Sequence, residues 1–68
     1  MKIKYFEDTD TALVEFIDNA VSETLEISEN IYIDLDSEGN LVSMTIEHAG
    51  QKANISEIAF QRMLKVTA

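Results

Sequence analysis

One hairpin decides the fold of this chain, and its sequence is Ile31-Tyr32-Ile33-Asp34-Leu35-Asp36-Ser37-Glu38-Gly39-Asn40-Leu41-Val42. Apolar and polar residues alternate from Ile31 to Asp36, which predicts a strand with one packed face and one solvated face. Gly39 accepts a positive φ without a Cβ clash and Asn40 tolerates one, so a tight turn follows. The alternation then resumes, and it predicts a partner strand from Leu41 to about His48.

Three more strands are predicted on the N-terminal side of this hairpin. They cover roughly residues 2–5, 11–17 and 21–27, and short polar turns separate them. The strand over residues 11–17 has apolar side chains on both faces, which predicts that it is covered on both sides and lies centrally in the sheet.

The residues after the sheet lose the period of two and take on helical spacing. Asn54 and Glu57 fit a capping box, with Ser56 as a competing cap. The apolar residues that follow share one helical stripe, namely Ile55, Ile58, Ala59, Met63 and Val66. We therefore predict a helix that begins near Asn54, lies across one face of the sheet and supplies much of the core.

These patterns predict an α+β fold, with a small antiparallel, possibly mixed, sheet of about five short strands and one C-terminal helix packed on it. The chain has 68 residues, of which 46% are hydrophobic. A chain of this length forms one domain, over residues 1–68, and its core is necessarily small.

The net charge of −8, from 13 acidic and five basic residues, narrows the classes of partner. Phosphate backbones and anionic lipids are bound by clustered Lys and Arg, so we expect neither nucleic-acid nor membrane-surface binding. No apolar run is long enough to span a membrane or to serve as an export signal. The absence of Cys fits a reducing compartment, so we expect a cytoplasmic protein.

The acidic run from Asp34 to Gly39 is similar to the first half of an EF-hand calcium loop. With Asp34 as the first loop position, Thr45 stands where a bidentate Glu is required, and a strand instead of a helix precedes the run. We interpret the run as a polar strand face that leads into a turn, and we expect no metal ligand. Weak metal or metabolite binding around Asp34, Asp36 and His48 remains an alternative.

His48 is the single histidine, and it follows Glu47 directly. Adjacent residues of a strand point to opposite faces, so these two do not form an acid–base pair unless the chain turns between them. We expect a structural or solvated His48. The two glycines lie eleven residues apart and cannot form a phosphate-binding loop. We predict no catalytic residue, no cofactor and no enzymatic activity.

The predicted fourth and fifth strands place two polar sets side by side: Tyr32, Asp34 and Asp36 on one strand, and Ser43, Thr45 and Glu47 on the next. This acidic surface has two interpretations. It keeps the protein soluble, or it docks a basic partner, because complementary charge speeds encounter and selects partners.

The order of these segments resembles the small bacterial family catalogued as domain of unknown function 2283. The resemblance is carried by residues 1–5, 10–16 and 31–42, by Asp18, by Ile46-Glu47-His48-Ala49, and by the Asn54-Ile55-Ser56 segment. It implies a compact antiparallel sheet with a terminal helix and no established activity or cofactor. It also suggests an antitoxin-like role, in which an acidic module covers a basic ribonuclease-type protein.

We expect a non-enzymatic protein-interaction module that is homo-oligomeric. The sheet edges invite pairing, and a small core gains from burying apolar area between copies. Neutralisation of a basic toxin is the alternative.

Overall fold

The computed structural model describes residues 1–65 and contains five strands and one short helix. The elements are β1 (Lys2–Phe6), β2 (Thr11–Glu15), β3 (Glu23–Ser28), β4 (Ile31–Leu35), β5 (Leu41–Glu47) and α1 (Ala49–Lys52). The strands form one sheet in the order β1-β2-β5-β4-β3, in which every neighbouring pair is antiparallel. The predicted α+β class is confirmed, and the sheet is antiparallel, not mixed.

The hairpin that decides the fold has the predicted turn. Gly39 adopts a φ of 84°, and its N–H donates to the carbonyl of Asp36 at 3.1 Å. The Asp36 N–H donates in turn to the carbonyl of Asn40 at 3.0 Å. The register shifts between Asp34 and Leu35, so a bulge bends the strand as it enters the turn.

The strand β2 lies between β1 and β5, so the prediction of an interior position is confirmed, although the middle strand of the sheet is β5. β2 ends at Glu15, before the predicted end at residue 17. Phe16 and Ile17 leave the ladder and donate their N–H groups to the carbonyl of Val42. The connection to β3 thus passes the start of β5, and β2 to β5 have a Greek-key order.

The predicted position of the helix is wrong. The helix α1 covers four residues, lies against β2 and precedes the predicted start at Asn54. Residues 53–65 form no regular helix, and Val66, the last residue of the predicted stripe, lies outside the described residues. An isolated helix of this length is marginal in water, because its stability comes mostly from packing an apolar face. Residues 56–65 are exposed, so no part of the chain that the structure describes covers them.

The buried interior of residues 1–65 is small. The buried apolar side chains are those of Ala12, Val42 and Ala49, and no large side chain in this part of the chain is fully buried. The described residues are therefore a single-layer sheet with a short helix at one end. None of their helices has the length and apolar character needed to cross a membrane.

Candidate functional site

One face of the sheet is apolar across all five strands. A row of five paired residues runs from edge to edge, namely Ile3, Val14, Met44, Ile33 and Leu25. A second row joins Tyr5, Ala12, Ile46 and Ile31. We call these nine residues, together with Leu35, the apolar face. Apolar residues at every second position of each strand produce this face, and β2 adds Leu13 on the opposite face.

Most of the apolar face is not covered. The exception is Ala12 on β2, the strand that α1 contacts, and it is 1% exposed. Val14, Ile33 and Met44, at its centre, are only partly buried, whereas the inner face of a packed sheet is closed by a second layer about 10 Å away. At its margin, 37% of the surface of Leu25 is exposed. The sheet thus presents a broad hydrophobic surface, a feature that marks interaction sites on soluble proteins.

The opposite face is polar, and we call it the polar face. Its two long rows are Lys4, Leu13, Thr45, Tyr32 and Glu26, and Lys2, Glu15, Ser43, Asp34 and Thr24. The predicted proximity of the polar sets on β4 and β5 is confirmed, since Tyr32 pairs with Thr45 and Asp34 with Ser43. The Asp34 carboxylate accepts hydrogen bonds from Thr24 and Ser43, each at 2.6 Å. Asp34 therefore links three strands.

Negative charge gathers on the half of the polar face that β3, β4 and β5 form. The Coulombic effect of Glu47 raises the pKa of Tyr32, with smaller contributions from desolvation, Glu26 and Glu29. On the other half, the Lys4 ammonium lies 3.2 Å from the Glu15 carboxylate. The polar face is acidic towards the β3 edge and partly neutralised towards the β1 edge.

Asp36 is a structural residue of the hairpin. Its Oδ1 accepts the backbone N–H groups of Glu38 and Asn40, at 2.9 Å and 2.8 Å. Its Oδ2 accepts the side-chain amides of Asn19 and Asn40, each at 2.9 Å. The Asn40 side chain, followed by that of Asn19, holds the pKa of Asp36 at about 2, below its ordinary 3.8. Three of these bonds lie within the turn, and the fourth, from Asn19, ties the β2–β3 connection to it.

A second structural cluster, which sequence reasoning missed, joins the β1–β2 turn to α1. The Asp10 carboxylate accepts hydrogen bonds from the Tyr5 hydroxyl and from the Gly50 N–H, and the Asp10 carbonyl accepts the Ala49 N–H. The hydrogen bond from Tyr5, and to a smaller extent that from Gly50, lowers the pKa of Asp10. The hydrogen bond to Asp10 in turn raises the pKa of Tyr5.

The backbone of this cluster is unusual at two residues. Asp10 and His48 both adopt a φ of 54°, in the left-handed region, which Asp and His enter more readily than most side chains. A Cβ on Gly50 would lie 2.9 Å from the Asp10 carboxylate. Gly50, two residues after a His, which tolerates positive φ, is the signal that could have indicated this corner in the sequence.

His48, Asp34 and Asp36 do not form one site. His48 is exposed and stands at the N-terminus of α1 without a side-chain capping bond. Asp34 pairs with Ser43, five residues before His48 on β5, which corresponds to about 16 Å along a strand. Asp36 lies beyond Asp34, in the turn. Within residues 1–65, no three His, Asp or Glu side chains are grouped closely enough to hold a metal ion.

Both edges of the sheet carry charged side chains. The edge strand β1 contains Lys2 and Lys4, and the edge strand β3 contains Glu23 and Glu26. Charge on an edge strand opposes pairing with another edge, and like charges oppose each other when the same edge of two copies meets.

The comparisons with known proteins give one finding. A family model described as "Protein of unknown function (DUF2283)" matches residues 2–49. This match spans β1 to β5 and the first residue of α1. The searches of the curated proteins and of the solved structures gave no match.

Proposed function

The chain belongs to the DUF2283 family of proteins of unknown function, and we propose that it is a non-enzymatic protein-interaction module that assembles with copies of itself. The observation that carries this proposal is the uncovered apolar face. Water in contact with apolar area costs free energy in proportion to that area. A second copy of the chain has the same exposed apolar face, so contact between two copies removes both faces from water.

The position of the face supports assembly through the sheet surface instead of its edges. The apolar rows reach both edge strands, so the hydrophobic surface is continuous from Ile3 to Leu25. The edges themselves carry Lys and Glu. A two-fold arrangement gives both copies the same contact, so the apolar face of each copy is buried against its partner.

Sedimentation velocity over a wide concentration range tests this proposal, with two matched variants. Leu25 and Glu26 are neighbours on β3 that lie on opposite faces, and both accept Thr without loss of β propensity. We expect Leu25→Thr to weaken self-association by about tenfold or more, since burying a Leu contributes roughly 1.5–3 kcal/mol and about 1.4 kcal/mol is tenfold. We expect Glu26→Thr to assemble like the parent chain.

Two results would contradict the proposal. One is a parent chain that sediments as a monomer at every concentration. The other is a pair of folded variants that weaken assembly equally, because the contact would then not involve the apolar face. Far-UV circular dichroism establishes that each variant retains its sheet.

A second candidate function is an antitoxin-like role, in which the polar face binds a basic ribonuclease-type protein. The supporting observation is the acidic half of that face, where Glu47 and Glu26 raise the pKa of Tyr32. Affinity capture from the native cell, at low and high salt, compares the parent chain with a variant carrying Glu26→Gln and Glu47→Gln. A basic protein held only by the parent chain, and released by salt, favours this function. Equal capture by both chains contradicts it.

The proposal includes a cytoplasmic location. The chain contains no Cys, so its stability does not depend on disulfides and it suits a reducing compartment. Cell fractionation tests this part, and recovery with the periplasmic or membrane fraction would contradict it.

A further inference from the structure

The segment over residues 54–65 carries large apolar side chains that are mostly exposed. Phe60, Met63 and Leu64 are 79%, 83% and 84% exposed, although their i, i+3, i+4 spacing suits one side of a helix. The strands of the same chain have an uncovered face of the same chemical character. Two unpartnered apolar surfaces therefore exist in one small protein.

The dimensions of these two surfaces agree. Twelve residues in a helix span about 18 Å, and five strands about 4.8 Å apart span about 19 Å. A helix formed by residues 54–65 could therefore cross the sheet from edge to edge. It would cover the row from Ile3 to Leu25.

The charges of the segment and the sheet are complementary. Residues 1–51 contain 12 of the 13 acidic residues and two of the five basic residues, whereas residues 52–68 contain three basic residues and one acidic residue. Glu23 pairs with Leu35 and so lies at the margin of the apolar face. Arg62 and Lys65, which lie in the segment, have the opposite sign.

Contact between two sheets alone is too small for a stable dimer. A face about 19 Å wide and five residues, or about 17 Å, long has a footprint of about 320 Å². Two such faces have a combined footprint of about 650 Å². A standard interface buries roughly 1,200–2,000 Å² of accessible surface in total. A buried Phe alone contributes about 150–250 Å², so segments from both copies supply the missing area.

The shape of the single chain also indicates that the segment does not cover its own sheet. The radius of gyration is 14.2 Å, and the extents are 47 × 32 × 21 Å. A compact chain of this length has a radius of gyration of about 11 Å. Residues 56–65 are exposed along their whole length.

From the dimensions, the charge, the area and the shape, we propose that residues 54–65 of one copy fold as a helix on the apolar face of a second copy. The exchange is reciprocal, and it gives each sheet the second layer that a single chain lacks. This inference rests on the self-association proposed above and adds the identity of the covering segment.

Cysteine cross-linking in the full chain tests the exchange, because the parent sequence contains no Cys. A Met63→Cys chain is mixed with a Met44→Cys chain, and a parallel mixture uses Thr45→Cys. Met44 and Thr45 are neighbours on β5 and lie on opposite faces. We expect the Met63–Met44 mixture to yield several-fold more disulfide-linked heterodimer, identified by mass, than the control mixture. We also expect the 222 nm ellipticity to grow with protein concentration.

The possible outcomes separate this inference from the proposed function. A dimer by sedimentation that gives no excess heterodimer, or cross-links only Met44→Cys to itself, overturns the exchange and leaves self-association in place. A monomer at every concentration overturns both. An intrachain disulfide in a monomeric chain carrying both substitutions would show that the segment covers its own sheet.

Discussion

Gly39 offers a sharp test of the hairpin that decides this fold. Its φ of 84° lies in the left-handed region, and a Cβ built there would meet no atom within 4 Å. The cost of Gly39→Ala is therefore a backbone cost alone, about 1–2 kcal/mol for an L-residue in this region. Reduced freedom of the unfolded chain offsets about 0.4–1 kcal/mol of that cost. The net loss is about 1 kcal/mol.

A loss of this size lowers the Tm of a chain this short by about 4–8 °C. Thermal unfolding followed by circular dichroism, at one fixed protein concentration, measures it. Gly39→Asn is the matched control, because Asn enters the left-handed region at lower cost, so its Tm should fall less. An unchanged Tm for Gly39→Ala, or an equal fall for both variants, would refute the assignment of this turn.

The remaining predictions concern the carboxylates of Asp10 and Asp36, which accept hydrogen bonds from residues distant in sequence. Gly50→Ala should lower the Tm, because its Cβ would lie 2.9 Å from the Asp10 carboxylate; in an Asp10→Ala background the loss should be smaller, and an equal loss in both backgrounds would refute the contact. The Asp36 carboxyl, with its pKa of about 2 in the folded chain against an ordinary 3.8, stabilises the fold fully above the ordinary value, and this contribution is lost as the pH falls towards 2. The free energy of unfolding, measured with denaturant, should therefore fall less steeply in Asp36→Asn than in the parent chain between about pH 5 and about pH 2. The same pH dependence in both chains would contradict the role of Asp36. Tyr5→Phe removes the main hydrogen bond to Asp10 and should raise the pKa of Asp10 towards its usual range, as followed by NMR titration; an unmoved pKa would count against the bond.

The sequence predicts the strands and faces well because they depend on local alternation. The five strands, the turn at Gly39 and the proximity of Asp34 to Ser43 all follow from a period of two and one glycine. In the candidate site, this alternation also predicts which side chains share a face. It does not reveal that the apolar face lacks a cover, because that depends on where the C-terminal residues lie.

Long-range contacts account for what the sequence did not predict. The Gly50 N–H and the Asp10 carboxylate are 40 residues apart in sequence, and the Asn19 amide reaches Asp36 across 17 residues. Neither contact leaves a periodic signal. The amphipathic pattern after Asn54 predicts a helix only where a surface is present to receive it. In the single chain that surface and the segment remain apart, which explains why the predicted helix does not form there.

Methionine oxidation directly tests whether the apolar face is buried between copies. Met44 lies at the centre of that face, and Met1, 79% exposed, is an internal control. Peroxide converts accessible Met to the sulfoxide, and mass spectrometry measures the rate at each residue. We predict that Met44 oxidises more slowly as the protein concentration rises, while the oxidation rate of Met1 does not change. Oxidation of Met44 at the same rate at every concentration would contradict it.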